Sequence, residues 1–175
     1  MNPENIRAKI TSEDPETLKR AISFVENRIA LMGERAKLAE TRATAMLAVS
    51  GVLAGFVVNF GKTIHNLNVL DFLLFSALYF SSIFLFIKAV FYAVRVLWVL
   101  KGYELTPDLA FDLQGKSGID ALREELTWRI WEYWATLPVT NEKLFWLNRS
   151  QRNTVSAIIV FMFLGAPYSL KPNLV

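Results

Sequence analysis

The residues able to do chemistry in this chain are few. His65 is its single histidine and there is no cysteine. A disulfide framework, a thiol nucleophile, a cysteine zinc site, a two-histidine metal site and an HExxH motif are therefore excluded. A Ser-His-Asp triad is reduced to that one imidazole, which falls in a short hairpin and reads as an exposed loop residue. Glu124, Glu125 and Glu132, with Arg123 and Arg129 among them, crowd one stretch. Paired carboxylates can serve acid/base work, but nothing nearby supplies a nucleophile or a metal ligand. Glu125 and Arg129 are spaced i,i+4 in the favourable order, and the group reads as a solvated helix face. No Gly-rich phosphate loop is present. The expectation is a non-enzyme with no catalytic residue, no metal and no cofactor.

The elements around these residues point elsewhere. Of 175 residues, 53% are hydrophobic, and mean hydropathy is +0.31. The excess lies in three charge-free stretches, 43–61, 72–87 and 153–170, of 19, 16 and 18 residues. A spanning helix needs about 20 apolar residues, so all three are membrane candidates and a soluble globular protein is disfavoured. The polar first 42 residues are unlike a secretory signal, whose apolar run would come early. A net charge of +3 calls for no nucleic-acid partner.

Charge sets the expected topology. Residues 1–42 carry eight Lys/Arg and 101–152 carry seven, against one in 62–68. The positive-inside rule puts the N-terminus and the 89–153 segment in the cytoplasm and the C-terminus outside, in the periplasm of an inner-membrane protein. Spans near 43–61, 69–88 and 154–170 follow. Arg42, Lys88 and Arg152 mark their cytoplasmic edge, where long cations snorkel. No charge falls mid-span, which argues against an ion-coupled transporter. The fold expectation is all-α: three transmembrane helices continuous with a cytoplasmic helical bundle, as a single domain over 1–175.

Helix boundaries can be read in part. Asp14 before Pro15 fits an N-cap. From there Leu18, Ile22, Val25, Ile29, Met32, Ala36, Ala39, Ala43 and Met46 keep a 4-3 spacing, predicting one helix of roughly 45 residues from cytoplasm into membrane. Its seam needs a partner: the apolar extension of the second helix, or a neighbouring subunit. That second helix is expected over 69–101, its cytoplasmic part covered by other protein because it is apolar all round. A short helix is expected over 106–115 and another over 117–136. A break at Leu137-Pro138-Val139 should precede a last helix capped by Thr140, which Gly165 and Pro167 would kink or stop.

Two constellations remain. Thr44, Ala48, Gly51 and Gly55 form a small-residue stripe containing a GxxxG. Small residues let helices approach closely in lipid. The stripe serves packing within the hairpin, a subunit contact or the lining of a narrow pore. Trp128, Trp131 and Trp134 recur every three residues, so they neighbour one another on a helix. They serve core packing, a headgroup belt or a partner groove. Trp98 and Trp146 could join them.

The run Ala36-Lys-Leu-Ala-Glu-Thr-Arg-Ala-Thr-Ala-Met-Leu-Ala-Val-Ser-Gly-Val-Leu-Ala-Gly55 resembles the first membrane helix of Pycsar effector membrane domains. Glu124-Glu-Leu-Thr-Trp-Arg-Ile-Trp-Glu-Tyr-Trp134 and Asn141-Glu-Lys-Leu-Phe-Trp-Leu147 are similar to the helices leading into their last span. The resemblance implies an antiphage-defence membrane effector that oligomerises and forms a pore or depolarises the inner membrane on a cytoplasmic signal. Such effectors commonly carry a cyclic-nucleotide-binding domain, and no segment of these 175 residues fits one. The signal would then come from a separate cytoplasmic sensor protein or reach a nucleotide site among the cytoplasmic helices. Two other readings fit the layout: a CRISPR-associated accessory membrane pore protein supporting an RNA-guided nuclease, and a non-pore scaffold subunit of a membrane complex. The expected partners are the lipid bilayer and further copies of the chain.

Overall fold

The computed structural model describes residues 2–61, 69–99, 116 and 118–169, with side chains described outside 57–61, 69–71 and 164–169. Every regular element among them is an α-helix: α1 (Pro3–Arg7), α2 (Pro15–Gly61), α3 (Val69–Trp98) and α4 (Gly118–Ser169). The expected 106–115 helix and His65 lie outside the described residues. The chain forms two compact units. The first is Met1–Leu38 with Val99–Glu142, and the second is Ala39–Trp98 with Lys143–Val175.

α2 begins where its first residues require. Asp14 accepts from the Glu16 amide at 3.2 Å, the Thr17 amide at 3.1 Å and the Thr17 hydroxyl at 2.5 Å. These bonds satisfy donors that a helix N-terminus leaves unpaired. α2 then runs 47 residues without a break, past Gly33. Its 4-3 seam is the buried edge. Leu18, Ile22, Met32, Ala39 and Ala43 are buried, while Val25, Ile29, Ala36 and Met46 are half-buried.

In the first unit, Leu18, Ile22 and Leu126 form a core, flanked by Ile10, Ala21, Val25, Leu122 and Ile130. Burying each large aliphatic side chain stabilises by roughly 1.5–3 kcal/mol. Ion pairs rim this core. Arg129 reaches Glu26 at 3.0 Å and Glu132 at 3.4 Å. Arg123 reaches Glu13 at 3.8 Å, and its Nε donates to the Ser12 carbonyl at 3.1 Å.

The break expected at 137–139 does not occur, because α4 passes through Pro138. A proline inside a helix loses one backbone hydrogen bond and crowds the carbonyl four residues back, here that of Trp134. Burial on the flanks, with Glu132 and Thr140 both inside, holds the helix despite that cost. Gly165 and Pro167 likewise stay within α4.

Two outcomes follow. Pro138 is itself exposed, so Pro138→Ala restores a bond and removes little packing. It should raise unfolding stability by up to about 3 kcal/mol, read as a higher melting midpoint by circular dichroism in detergent. Second, the Thr17 hydroxyl, followed by the Thr17 and Glu16 amides, holds the Asp14 carboxyl below its ordinary value of 3.8. The cap therefore contributes fully above about pH 3.9 and is lost as pH falls through the lower folded-state value. The Thr17 amide resonance should titrate with that low midpoint, and Asp14→Asn should abolish the titration.

Candidate functional site

Three helix segments make up the second unit, each with a 4-3 seam. On α3 the buried positions are Phe75, Ser82, Phe86, Ala89, Ala93 and Val96; on α4 they are Lys143, Leu147, Ser150, Thr154 and Ala157. α2 adds Ala39, Ala43 and Ser50. The interior is mainly small and hydroxyl-bearing. Ala39, Ala43, Ala93, Val96 and Leu147 form one cluster, and Phe86 with Ala157 form another. Ser82 Oγ donates to the Ala157 carbonyl at 3.3 Å, and Ser150 Oγ to the Ala89 carbonyl at 2.8 Å. Both bonds join α3 to α4, and the pairing order makes the two helices antiparallel.

The large apolar side chains face outward. Val52 and Phe56 on α2, Leu74, Phe80, Phe84 and Ile87 on α3, and Val155, Ile159, Met162 and Phe163 on α4 are all exposed. Small residues inside with bulky apolar residues outside is the reverse of a water-soluble core. It is the arrangement of helices packed in lipid, where interiors favour Gly, Ala, Ser and Thr. One segment among the described residues, Phe72–Trp98, is long and apolar enough to cross a membrane, with mean hydropathy 2.0 in its most apolar 18-residue window. Only 22% of its most apolar window is buried, whereas a soluble protein's core helix would be mostly buried. Three such helices were expected, and one is found. The stretches 43–61 and 153–170 run past the residues whose side chains are described. The extension of α3 beyond Lys88 buries one face, through Ala89, Ala93 and Val96, and leaves Phe91 and Trp98 exposed.

Among the described residues, the cations of this unit collect at one end. Arg42, Lys88, Arg95, Arg149 and Arg152 are all exposed. Beyond them 43–56, 72–87 and 153–163 carry no charge. Tyr92 stacks on Trp146 with centroids 5.5 Å apart and an interplanar angle of 22°. Arg95 lies 5.2 Å from the Trp146 centroid and 5.6 Å from that of Phe91. Arg149 lies 4.5 Å from Phe145, 5.8 Å from Trp146 and 6.0 Å from Tyr92. Lys88 sits 4.6 Å over Phe84. Each falls in the range of cation–π attraction.

Lys143 is 2% exposed and pairs with Glu40 at 2.5 Å. This pair is not legible in the sequence. Its partners are 103 positions apart, and Lys143 sits in what reads as an ordinary polar stretch.

The expected site residues separate. Thr44, Ala48, Gly51 and Gly55 are exposed. A Cβ built on Gly51 or Gly55 would meet nothing within 4 Å, so among the described residues nothing of the chain packs on these two glycines. Thr44 Oγ1 donates to the Glu40 carbonyl one turn back, at 3.0 Å. Trp128 and Trp131 are half-buried and meet edge to face at 5.7 Å, while Trp134 is exposed beside Tyr133. Trp146 belongs with Tyr92, and Trp98 is 78% exposed. The carboxylates are not a solvated face. Glu124 pairs with Arg7 at 3.2 Å and Lys116 at 3.3 Å, and accepts from Trp128 Nε1 at 3.1 Å. Arg129 turns to Glu26 and Glu132 rather than Glu125. No cluster of three or more potential metal ligands occurs among the described residues.

Compared with protein-family models, characterised proteins and solved structures, the chain matches none.

The Glu40–Lys143 pair yields a direct test. Removing one partner of a buried pair leaves an uncompensated charge and costs about 3–5 kcal/mol. Glu40 is 37% exposed, so Glu40→Gln should fall at or below the lower end of that range. Adding Lys143→Met should recover most of the loss. Unfolding of the three proteins in detergent, followed by circular dichroism, measures both steps.

Proposed function

We propose that the protein is a three-span inner-membrane effector of antiphage defence, acting by assembly rather than catalysis. In this reading the spans lie near 43–61, 69–88 and 154–170, with the N-terminus cytoplasmic and the C-terminus periplasmic. Copies associate, and a cytoplasmic signal opens or disrupts the membrane region.

The observation that carries the membrane part is the inverted packing of the second unit, with Ala43, Ala93, Ala157, Ser82 and Ser150 inside and Phe80, Phe84, Met162 and Phe163 outside. Bulky apolar surface of this kind has no favourable partner in water. The cations at one end of the charge-free segments support the orientation. Assembly is supported by the uncovered stripe on α2, whose glycines have open space beside them, and by the absence of mid-span charge. The defence role draws on the resemblance over 36–55 and 124–147. The ion-paired first unit, built on Leu18, Ile22 and Leu126, is the part suited to receive a signal from a sensor protein or a nucleotide.

The lack of cysteine makes single-cysteine variants clean reporters. In spheroplasts, a membrane-impermeant maleimide should label His65→Cys and spare Glu34→Cys and Asn141→Cys until the membrane is opened. Equal labelling at all three positions would remove the three-span topology. Assembly and action are read separately. The protein should run in detergent at a multiple of its 19.9 kDa chain mass, and expression during infection should collapse the membrane potential. A monomeric mass together with an unchanged potential would refute the effector reading.

A further inference from the structure

Acidic residues are nearly missing from the second unit. Residues 39–98 and 143–175 contain only Glu40 and Asp71. Glu40 is taken by Lys143, and Asp71 lies 17 positions from Lys88 along α3, about 25 Å of helix rise. Within the unit, Arg95 and Arg149 thus have no carboxylate partner. Both are held on the same indole, at 5.2 and 5.8 Å from its centroid, and Tyr92 is stacked against that ring. A guanidinium lying on a ring presents its face to the ring and keeps its N–H edge available. The Ser150–Ala89 bond beside them fixes α4 against α3 at this level. Two guanidiniums therefore lie within 6 Å of one indole centroid, with no anion of the unit's own to receive them.

The geometry points to a site for the phosphate of an anionic phospholipid, formed by Arg95 and Arg149 braced on Trp146 and Tyr92. The chemistry is bidentate donation to phosphate oxygens, for which guanidinium is better shaped than ammonium. The place favours a lipid over a soluble phosphate. The pair sits toward the charged end of helices whose segments 72–87 and 153–163, eight and four positions further on past Lys88 and Arg152, are charge-free, and Phe91 and Trp98 on the same helix as Arg95 are exposed. Trp at headgroup depth with basic residues beside it is the pattern of an interfacial anchor. Acyl chains bound there would lie along Phe84 and Ile87, both exposed on α3. This inference rests on the membrane reading above and deepens it, by naming the lipid class that the edge of the bundle selects.

The test uses the full chain reconstituted in vesicles of equal parts phosphatidylcholine and phosphatidylglycerol, then extracted and weighed by native mass spectrometry. The wild type should retain phosphatidylglycerol in preference to phosphatidylcholine. Arg95→Gln with Arg149→Gln should lower that preference by about tenfold or more, as expected for losing charge-assisted hydrogen bonds to a phosphate in addition to two surface cations. Arg42→Gln with Arg152→Gln removes the same charge from the same edge without touching the braced pair, and should lower it clearly less. Equal losses in the two double variants would reduce the effect to general surface charge and overturn the site. Unchanged retention in Arg95→Gln with Arg149→Gln would overturn it too, as would inorganic phosphate binding to detergent-solubilised protein with no preference for phosphatidylglycerol. All four arginines are exposed, and far-UV helicity confirms that each variant is folded. The maleimide pattern in the same variants separates the two readings. Normal labelling with no lipid preference refutes the lipid site alone, and lost labelling contrast refutes the membrane topology.

Discussion

Close approach of α3 and α4 is the constraint from which the rest of the second unit follows. A serine hydroxyl reaches a neighbouring helix's carbonyl only when both backbones are near, and here it does so twice. Ser82 bonds to the Ala157 carbonyl and Ser150 to the Ala89 carbonyl. The two bonds lie seven residues apart on each helix, so one heptad repeat fixes the antiparallel register at both points. Ala93 and Ala157 are fully buried on the same seams, where a leucine would force the helices apart. With small residues at these closest contacts, most of the large ones are turned outward, Phe75, Phe86 and Leu147 being the buried exceptions. The exposed Phe, Leu, Ile and Met side chains accompany that tight interior and give the unit a bulky apolar surface.

The two units solve stability with different materials. The first has an aliphatic core and a rim of cations paired to carboxylates, with Arg129 between Glu26 and Glu132 and Glu124 between Arg7 and Lys116. Such pairs contribute little when solvated, but Glu124 and Glu132 are largely covered, so losing a partner would cost more. The second has alanine and serine inside and turns its cations onto aromatic rings. One chain thus carries a packing style suited to water and another suited to lipid, each legible from what is buried.

Legibility in the sequence followed contrast. The α2 seam was readable because apolar residues at a 4-3 spacing stood against charged neighbours from Leu18 to Met46, and the Asp14 cap because Pro15 fixed the start. On α3 the seam was invisible: almost every residue from 72 to 98 is apolar, so no period emerges, and only the structure shows that Ser82, Ala89 and Ala93 face inward. On α4 the signal was misleading. Its buried seam includes Lys143, Ser150 and Thr154, residues that composition assigns to the surface. Pro138 suggests a break by local propensity, which takes no account of the packing on both sides of it. The Glu125–Arg129 spacing was favourable, but Glu26, from a distant segment, competed for Arg129 and won.

The polar seam of α4 also answers a question that hydrophobicity leaves open. In lipid, rotating an apolar helix about its axis exchanges one oily face for another at little cost, because the solvent is as apolar as the side chains. Val155, Ile159, Met162 and Phe163 could each face lipid or a neighbouring helix with similar transfer energy. Lys143 and Ser150 cannot. A rotation would place an ammonium and a hydroxyl toward the bilayer or its edge, leaving Lys143 without Glu40 and Ser150 without the Ala89 carbonyl. Thr154 returns its hydroxyl to the Ser150 carbonyl of its own helix and so adds no interhelical bond, but it stays tolerable on either side. The orientation of α4 is therefore set by Lys143 at one level and Ser150 two turns on. In the proposed three-span reading the apolar residues supply the affinity for lipid, and these two polar contacts decide which face the helix presents to it.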